Sequence, residues 1–315
     1  MLMKMRDPFR LGSWKTQRCN IFHVVNTQGW GNMKKKYFIP AAIASISLVA
    51  SSLLASTSAN AAATGTLAEV LARGKIIVGT GSGNAPWHFK DASGNLVGMD
   101  IDIARMLAKG LFDDESKVEF VQQTSDSRIP NILTGKIDIT CQFMTINAAR
   151  AQQVAFTTPY YREGIGLLLS KKGKYKSFAE LKAAGSKARI SILQNVGAEE
   201  GVHEALPKAK VLQFSDVPLI YSAIDSGRAD AAATDQSSVG WMVAQFPKKY
   251  ADGGAGWHPM NYGCALKQGD QVWLNFINQV LNEAISGDAY PAYAASFKKW
   301  FGVTLPSPHI GYPRP

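Results

Sequence analysis

Three groups of residues in this chain stand at spacings where binding chemistry is expected. The run Met144-Thr145-Ile146-Asn147-Ala148-Ala149-Arg150 lies just past an expected strand end. In α/β sheets ligands collect at the C-terminal ends of strands. A guanidinium fork takes a carboxylate bidentately, and the Thr145 hydroxyl adds a donor; a lone Arg otherwise pairs with any nearby acid. The run Gln194-Asn195-Val196-Gly197-Ala198 joins a strand to a helix. Free N–H groups at such a helix start attract anions, unless Glu199 and Glu200 complement the dipole themselves. Asp235 closes another strand, where it either receives an ammonium group or caps the helix from Gln236. Bond-making motifs are missing. Gly79-Thr80-Gly81-Ser82-Gly83 lacks the third glycine of GxGxxG, and Pro86-Trp87 follows where a helix should begin. Ser82 has Thr80, not glycine, two places before it, so there is no GxSxG elbow. The segment reads instead as a flexible strand-end loop that delivers Trp87 to a cleft.

Alternating strands and helices must position these groups. Thr66-Leu67-Ala68-Glu69 is a capping box, and Gly74 stops the short helix it opens. Ile76-Ile77-Val78 is a buried strand. A helix is expected from Asp100 to Lys109 with Gly110 after it, then a strand over Val118 to Val121, a helix near Arg128 to Thr134 and a strand over Ile137 to Thr140. Ser177 and Glu180 make a second capping box, and Pro218 suits the first turn of a helix ending at Gly227. Helices over Gln271 to Ser286 and Tyr290 to Phe301 finish the chain. This alternation predicts an α/β protein with largely parallel sheets. Thr134-Gly135-Lys136-Ile137-Asp138 echoes Ser226-Gly227-Arg228-Ala229-Asp230. One such unit per half fits two similar lobes, although a glycine followed by a basic residue is also a common helix stop.

The 315 residues carry a net charge of +10, with 46% hydrophobic and 18% charged residues, which excludes whole-chain disorder, collagen and coiled coil. Five scattered histidines, none in an HExxH pair, argue against a zinc hydrolase. Residues 33–61 have the three parts of a secretory signal: Lys34-Lys35-Lys36, the uncharged run Phe38 to Leu54, and Ala59-Asn60-Ala61. The Ser and Pro interruptions in that run argue against a membrane span. Residues 1–32 read as an upstream extension from a mis-called start, with Met33 the true start, or else as a genuine extended n-region. Cleavage after Ala61 leaves 26 basic and 23 acidic residues, net +3, so the charge carries no nucleic-acid argument. Cys141 and Cys264 remain as an even pair in an oxidising compartment, where a disulfide is expected.

Taken together, Asn84-Ala85-Pro86-Trp87 through Gly98-Met99-Asp100-Ile101-Asp102, Arg128-Ile129-Pro130, Thr145 through Arg150 with Val154-Ala155-Phe156-Thr157-Thr158-Pro159-Tyr160-Tyr161, and Ser226 through Asp230 resemble the polar amino-acid-binding family of periplasmic solute-binding proteins (family 3), partners of ABC importers. The glutamate/aspartate-binding branch looks closest, because Cys141 and Cys264 fall where it has a disulfide. The resemblance implies a two-lobed type II periplasmic-binding-protein fold, each lobe a mostly parallel sheet flanked by helices. Residues 62–166 and 264–315 would form lobe 1 and 167–263 lobe 2, with two hinge strands crossing near Gly164 to Leu169 and Asn261 to Leu266. It further implies that Arg150 and Thr145 hold an α-carboxylate, Asp235 takes an α-ammonium, Trp87 lies on the ligand, and the Phe143 backbone lines the same wall. Ser125 and Arg128 match positions that meet an acidic side chain. Two departures stand out. The helix-start loop is Val196-Gly197-Ala198, where the family has Gly-Thr-Thr or similar, so backbone groups near Asn195, Gly197 and Ala198 must serve. Gly81 stands where dicarboxylate binders carry an Arg.

The expected function is that of a monomeric periplasmic protein that closes on a polar or acidic amino acid and presents it to an inner-membrane ABC permease. It would use no cofactor or metal, bind no nucleic acid and perform no chemistry. The alternative is a cyclohexadienyl-dehydratase-like enzyme on the same fold, for which His88 and Glu199 are the nearest acid/base candidates by sequence.

Overall fold

The computed structural model describes residues 65–254 and 256–311. The expected signal, residues 33–61, and the segment before it lie outside the described residues. Among the described residues no helix is long and apolar enough to cross a membrane.

The first lobe is built on Ile76–Thr80, which pairs in parallel with Val118–Gln122 on one side and Ile139–Thr140 on the other. Parallel neighbours need a crossover, here the helices Met99–Phe112 and Arg128–Leu133. Covered on both faces, the central strand is buried or half-buried along its length and apolar up to Thr80. Ala265–Leu266 returns antiparallel between Ile139–Thr140 and Ala155–Phe156. The helix that begins at Met99 runs through Gly110 to Phe112 instead of stopping there. A Cβ on Gly110 would stand 2.7 Å from Val280 Cγ2, so this glycine is an approach point for the helix Gln271–Ser286. Thr66 is also not a cap: Gly65 precedes the helix Thr66–Arg73, and the Asp270 carboxylate, 204 residues away, accepts the Thr66 N–H at 2.7 Å. Ser177, by contrast, accepts the Glu180 N–H as its sequence predicts.

The second lobe has its own sheet, Lys210–Phe214, Arg189–Leu193 and Ala231–Asp235 in parallel, followed by the antiparallel Tyr161–Ser170 and Tyr250–Asp252. The sequence echo is a shared device. Gly135 and Gly227 both adopt φ +70°, ending a helix as only glycine does without strain. The aspartate three residues later then clamps the lobe's inner strand: Asp138 accepts the Ile77 N–H and pairs with Arg73, while Asp230 accepts the Arg189 N–H and takes its guanidinium bidentately at 2.9 and 3.0 Å.

Tyr161–Ser170 and Trp257–Tyr262 connect the lobes, pairing antiparallel at Tyr161↔Tyr262, Arg162↔Asn261, Glu163↔Met260 and Ile165↔Trp257. This pairing begins before the stretch Gly164 to Leu169 expected for the crossing, because Leu167 and Leu169 are already committed to the second lobe's core with Ile190, Ile192 and Val202. Cys141 and Cys264 are joined by a disulfide. They follow and precede the Thr140↔Ala265 pair, so the bridge links the strand leaving the first lobe to the strand returning to it.

Candidate ligand-binding site

The glycine-rich segment after Thr80 folds as a small antiparallel sheet of Gly83–Asn84, His88–Lys90 and Leu96–Val97. It sends Trp87 inward, not into a cleft. Trp87 is fully buried and packs edge-on against Tyr161 and Tyr262, with ring centroids 4.8 and 5.3 Å away. The residue facing the cleft from this segment is Asn84.

The cleft is a cavity of about 470 Å³ at the C-terminal ends of both sheets. Asn84, Phe143, Thr145, Ile146, Asn147 and Arg150 line it from the first lobe. Ile192, Leu193, Asn195, Val196, Gly197, Ala198, Glu200, Val202, Val217 and Ala233 through Asp235 line it from the second, and Ile165 and His258 through Tyr262 from the connecting strands. Seven of the ten expected binding residues thus line this cavity: Phe143, Thr145, Arg150, Asn195, Gly197, Ala198 and Asp235. Trp87, Ser125 and Arg128 do not. Arg128 is fully buried and turned away: its Nε donates to the Ser125 carbonyl at 2.8 Å, its Nη1 to the Gln142 carbonyl at 2.9 Å, and its guanidinium lies over the Phe143 ring. Burial, with the nearby Arg150 charge, pushes its pKa down to about 9. It is a clamp behind the cavity wall, and Ser125 is one of its anchor points. No second guanidinium fits through Gly81 either, since a Cβ there would stand 2.8 Å from the His88 ring and 2.9 Å from Gln142 Nε2.

The wall that Arg128 supports carries Phe143, whose backbone sits at φ +29°, unusual outside glycine. Asp100 holds it there, accepting the Phe143 N–H at 3.0 Å and the His88 Nδ1 contact at 2.8 Å. His88 stacks on the Phe143 ring and is therefore a support, not a group facing the cavity. Glu199 is likewise elsewhere, accepting from Gln213 on the outer face of its helix.

Arg150 is 4% exposed. The Asn147 side chain caps its short helix, Ala148–Ala151, by accepting the Arg150 N–H. Its Nη1 donates to the Thr145 carbonyl at 2.8 Å, and its Nη2 reaches across to Asn195 Oδ1 at 2.5 Å. Among the described residues no carboxylate pairs with it, and burial lowers its pKa. A buried cation without an anion is costly. Opposite, Asp235 accepts the Tyr262 hydroxyl at 2.6 Å through Oδ1, while its buried Oδ2 has no hydrogen-bond partner. Although Asp235 precedes the helix Gln236–Gln245, its side chain caps nothing there. Of its two sequence roles, the helix cap is the one its geometry leaves unused. Tyr262, Asn84 and Met260 are lining residues that sequence reasoning missed. For Met260 and Tyr262 the available signal was the second crossing strand, which has to pass the cleft.

Burial raises Asp235 to about 6, with the Asp100 charge adding to it, and raises Glu163, on the connecting strand, to about 8, with the Asp235 charge adding to it. Both folded-state values lie above the ordinary 3.8 and 4.5, so the folded chain keeps protons that the unfolded chain releases. The stability these groups contribute is therefore present at low pH and lost as pH rises through about 6 and then about 8. Thermal melts of the ligand-free protein should show Tm falling as pH rises from about 4 to about 8 and levelling off above that, and falling less for Glu163→Gln. A parallel slope in both proteins would remove Glu163 from this effect.

The fold has solved counterparts. An ancestral amino acid-binding protein, described as a precursor of cyclohexadienyl dehydratase, is 34% identical, with a TM-score of 0.66 over 75% of this chain and 100% of its own. The cysteine-binding protein of Campylobacter jejuni is 25% identical, with a TM-score of 0.66 over 76% of this chain and 96% of its own. In sequence, the ABC transporter glutamine-binding protein GlnH of Bacillus subtilis is 32% identical over 75% of this chain and 84% of its own length. A buried guanidinium and a half-partnered carboxylate facing one another across a two-lobed α/β cleft, together with the match of residues 76–303, place this chain in the bacterial extracellular solute-binding proteins, family 3.

Proposed function

We propose that this protein captures a single α-amino acid with an uncharged side chain between its lobes and hands it to an ABC permease of the inner membrane from the periplasm. The observation that carries this reading is the pair of unmet charges on one cavity: Arg150 without an anion and Asp235 with a free, buried oxygen. An α-carboxylate and an α-ammonium satisfy both, and a ligand lacking either leaves a buried charge unpaired. Thr145 and the backbone groups at Gly197 and Ala198 complete the carboxylate end. Residues 62–166 with 264–315 act as one lobe and 167–263 as the other, and the chain works as a monomer.

The remainder of the cavity supports an uncharged side chain. Arg150 is the one Lys or Arg among its described lining residues, and Phe143, Ile165, Ile192, Val202, Val217, Met260 and Tyr262 supply apolar and aromatic surface. An acidic side chain has no second guanidinium to meet. Two of the relatives named above are a glutamine-binding and a cysteine-binding protein, both for ligands with uncharged side chains. Capture without turnover belongs to the same proposal: His88 and Glu199 lie away from the cavity, whereas Glu200 and His258 line it, so the fate of the ligand is read directly. A thermal-shift screen of the common amino acids should raise Tm with neutral ligands such as glutamine or cysteine and raise it little with glutamate or aspartate. Mass spectrometry should recover the ligand intact. Stabilisation by glutamate exceeding that by every neutral amino acid would refute the uncharged side chain, and conversion of the ligand would refute a pure binding role.

A further inference from the structure

Behind the amino-acid cavity a second set of contacts spans the lobes. The Trp87 indole N–H, from the first lobe's core, donates to Ser237 Oγ at 3.0 Å. Ser237 Oγ in turn donates to Glu163 Oε2 on the connecting strand at 2.5 Å, and the Glu163 Oε1 oxygen is held by the Gly164 N–H at 2.9 Å. Ser237 sits in the first turn of the helix Gln236–Gln245, which packs through Val239 and Met242 into the second lobe. One hydroxyl therefore joins first lobe, second lobe and hinge. Trp87, Ser237 and Glu163 are all absent from the lining of the amino-acid cavity. Glu163 and Ser237 border instead a separate groove of about 740 Å³ on the hinge side. An opening motion that separates Trp87 from Ser237 exchanges these bonds for water, and the indole is embedded among Tyr161, Tyr262 and Phe301, where water reaches it poorly.

We infer that Ser237 is a closure latch: a positioning residue that favours the closed arrangement through Trp87 and Glu163 and sets amino-acid affinity without touching the amino acid. The inference rests on the binding function proposed above. Because a latch shifts the balance of open and closed states, its loss weakens every ligand by the same factor. A side chain that reads the ligand changes ratios between ligands.

The test is calorimetry of Ser237→Ala, Ser237→Thr and Trp87→Phe against glutamine, cysteine and any other amino acid that the wild type binds. Ser237→Ala should raise Kd roughly three- to tenfold for all ligands alike, the range expected for losing one or two net hydrogen bonds. Ser237→Thr keeps the hydroxyl and should restore most of the affinity. Trp87→Phe keeps a ring in the aromatic cluster without the N–H and should weaken binding in the same uniform way. Its combination with Ser237→Ala should cost less than the two losses added, since both remove one bond. Kd values for Ser237→Ala within a factor of about 1.5 of wild type, or losses that differ between ligands, would overturn the latch. A wild-type chain that takes no amino acid sinks the proposed function instead. The latch is then read from small-angle scattering of the ligand-free proteins, where a larger radius of gyration for Ser237→Ala supports it and superimposable profiles overturn it.

Discussion

Arg150→Met is expected to abolish amino-acid binding while leaving the ligand-free protein folded. The guanidinium is 4% exposed and among the described residues lacks a carboxylate partner. An arriving α-carboxylate is its counter-charge. Truncating one side of a buried, hydrogen-bonded charge pair costs about 2–5 kcal/mol, so affinity should fall by at least roughly thirtyfold and pass beyond the range of calorimetry for a micromolar ligand. The effect on stability runs the other way. Methionine fills much of the same space without a cation to desolvate, so the loss of the bonds to the Thr145 carbonyl and Asn195 is offset by the removal of a buried charge. The Tm of ligand-free Arg150→Met should therefore stay within a few degrees of wild type, whereas the stabilisation by ligand disappears. Calorimetry showing affinity within a factor of two of wild type would take Arg150 out of the binding site. A collapse of Tm without ligand would make it a structural residue. Arg150→Lys keeps the charge but loses the fork, and should fall between the two.

Removing the Cys141–Cys264 bridge, by Cys141→Ala with Cys264→Ala or by a reductant, should produce the largest change in stability. The two cysteines are 123 positions apart, and the closed loop contains the whole second sheet and both connecting strands. In the chain-entropy description a loop of that length is worth about 4–5 kcal/mol. For a protein of this size that corresponds to a Tm lower by roughly 10 °C. Both sulfurs lie in the first lobe's core beside Phe143, so a local cost of packing is added. Binding by the reduced protein at low temperature should survive, because neither cysteine lines the cavity. Two free thiols in non-reduced, unfolded protein, or an unchanged Tm after reduction, would contradict this account.

Some of the architecture is written in local pattern. The strand at Ile76–Thr80, the helices Gln271–Ser286 and Tyr290–Phe301, the Ser177 cap and the paired glycine stops at 135 and 227 all follow from periodicity, capping and φ preference within a few residues. The cysteine pair and the candidates Arg150, Asn195 and Asp235 were legible for the same reason: each is a distinctive residue type at a strand end or a helix start, where backbone geometry aims it at a cleft. What failed did so where partners come from far along the chain. Gly110 looks like a helix stop until Val280 is seen against it, and Thr66 looks like a cap until Asp270 arrives to do the work. Trp87 was expected in the cleft as the end of a strand-end loop, and Arg128 at the ligand because the family resemblance implies it. Their direction, however, is decided by Tyr161, Tyr262 and Phe301 in one case and by the Ser125 and Gln142 carbonyls in the other. Sequence by itself determined the α/β alternation and which residue types carry charge near strand ends, and the family resemblance implied the two lobes. Only the tertiary structure decided which of those charges remain unpaired inside the cavity, because desolvation and pairing depend on every group that packs around a side chain and not on its neighbours in the chain.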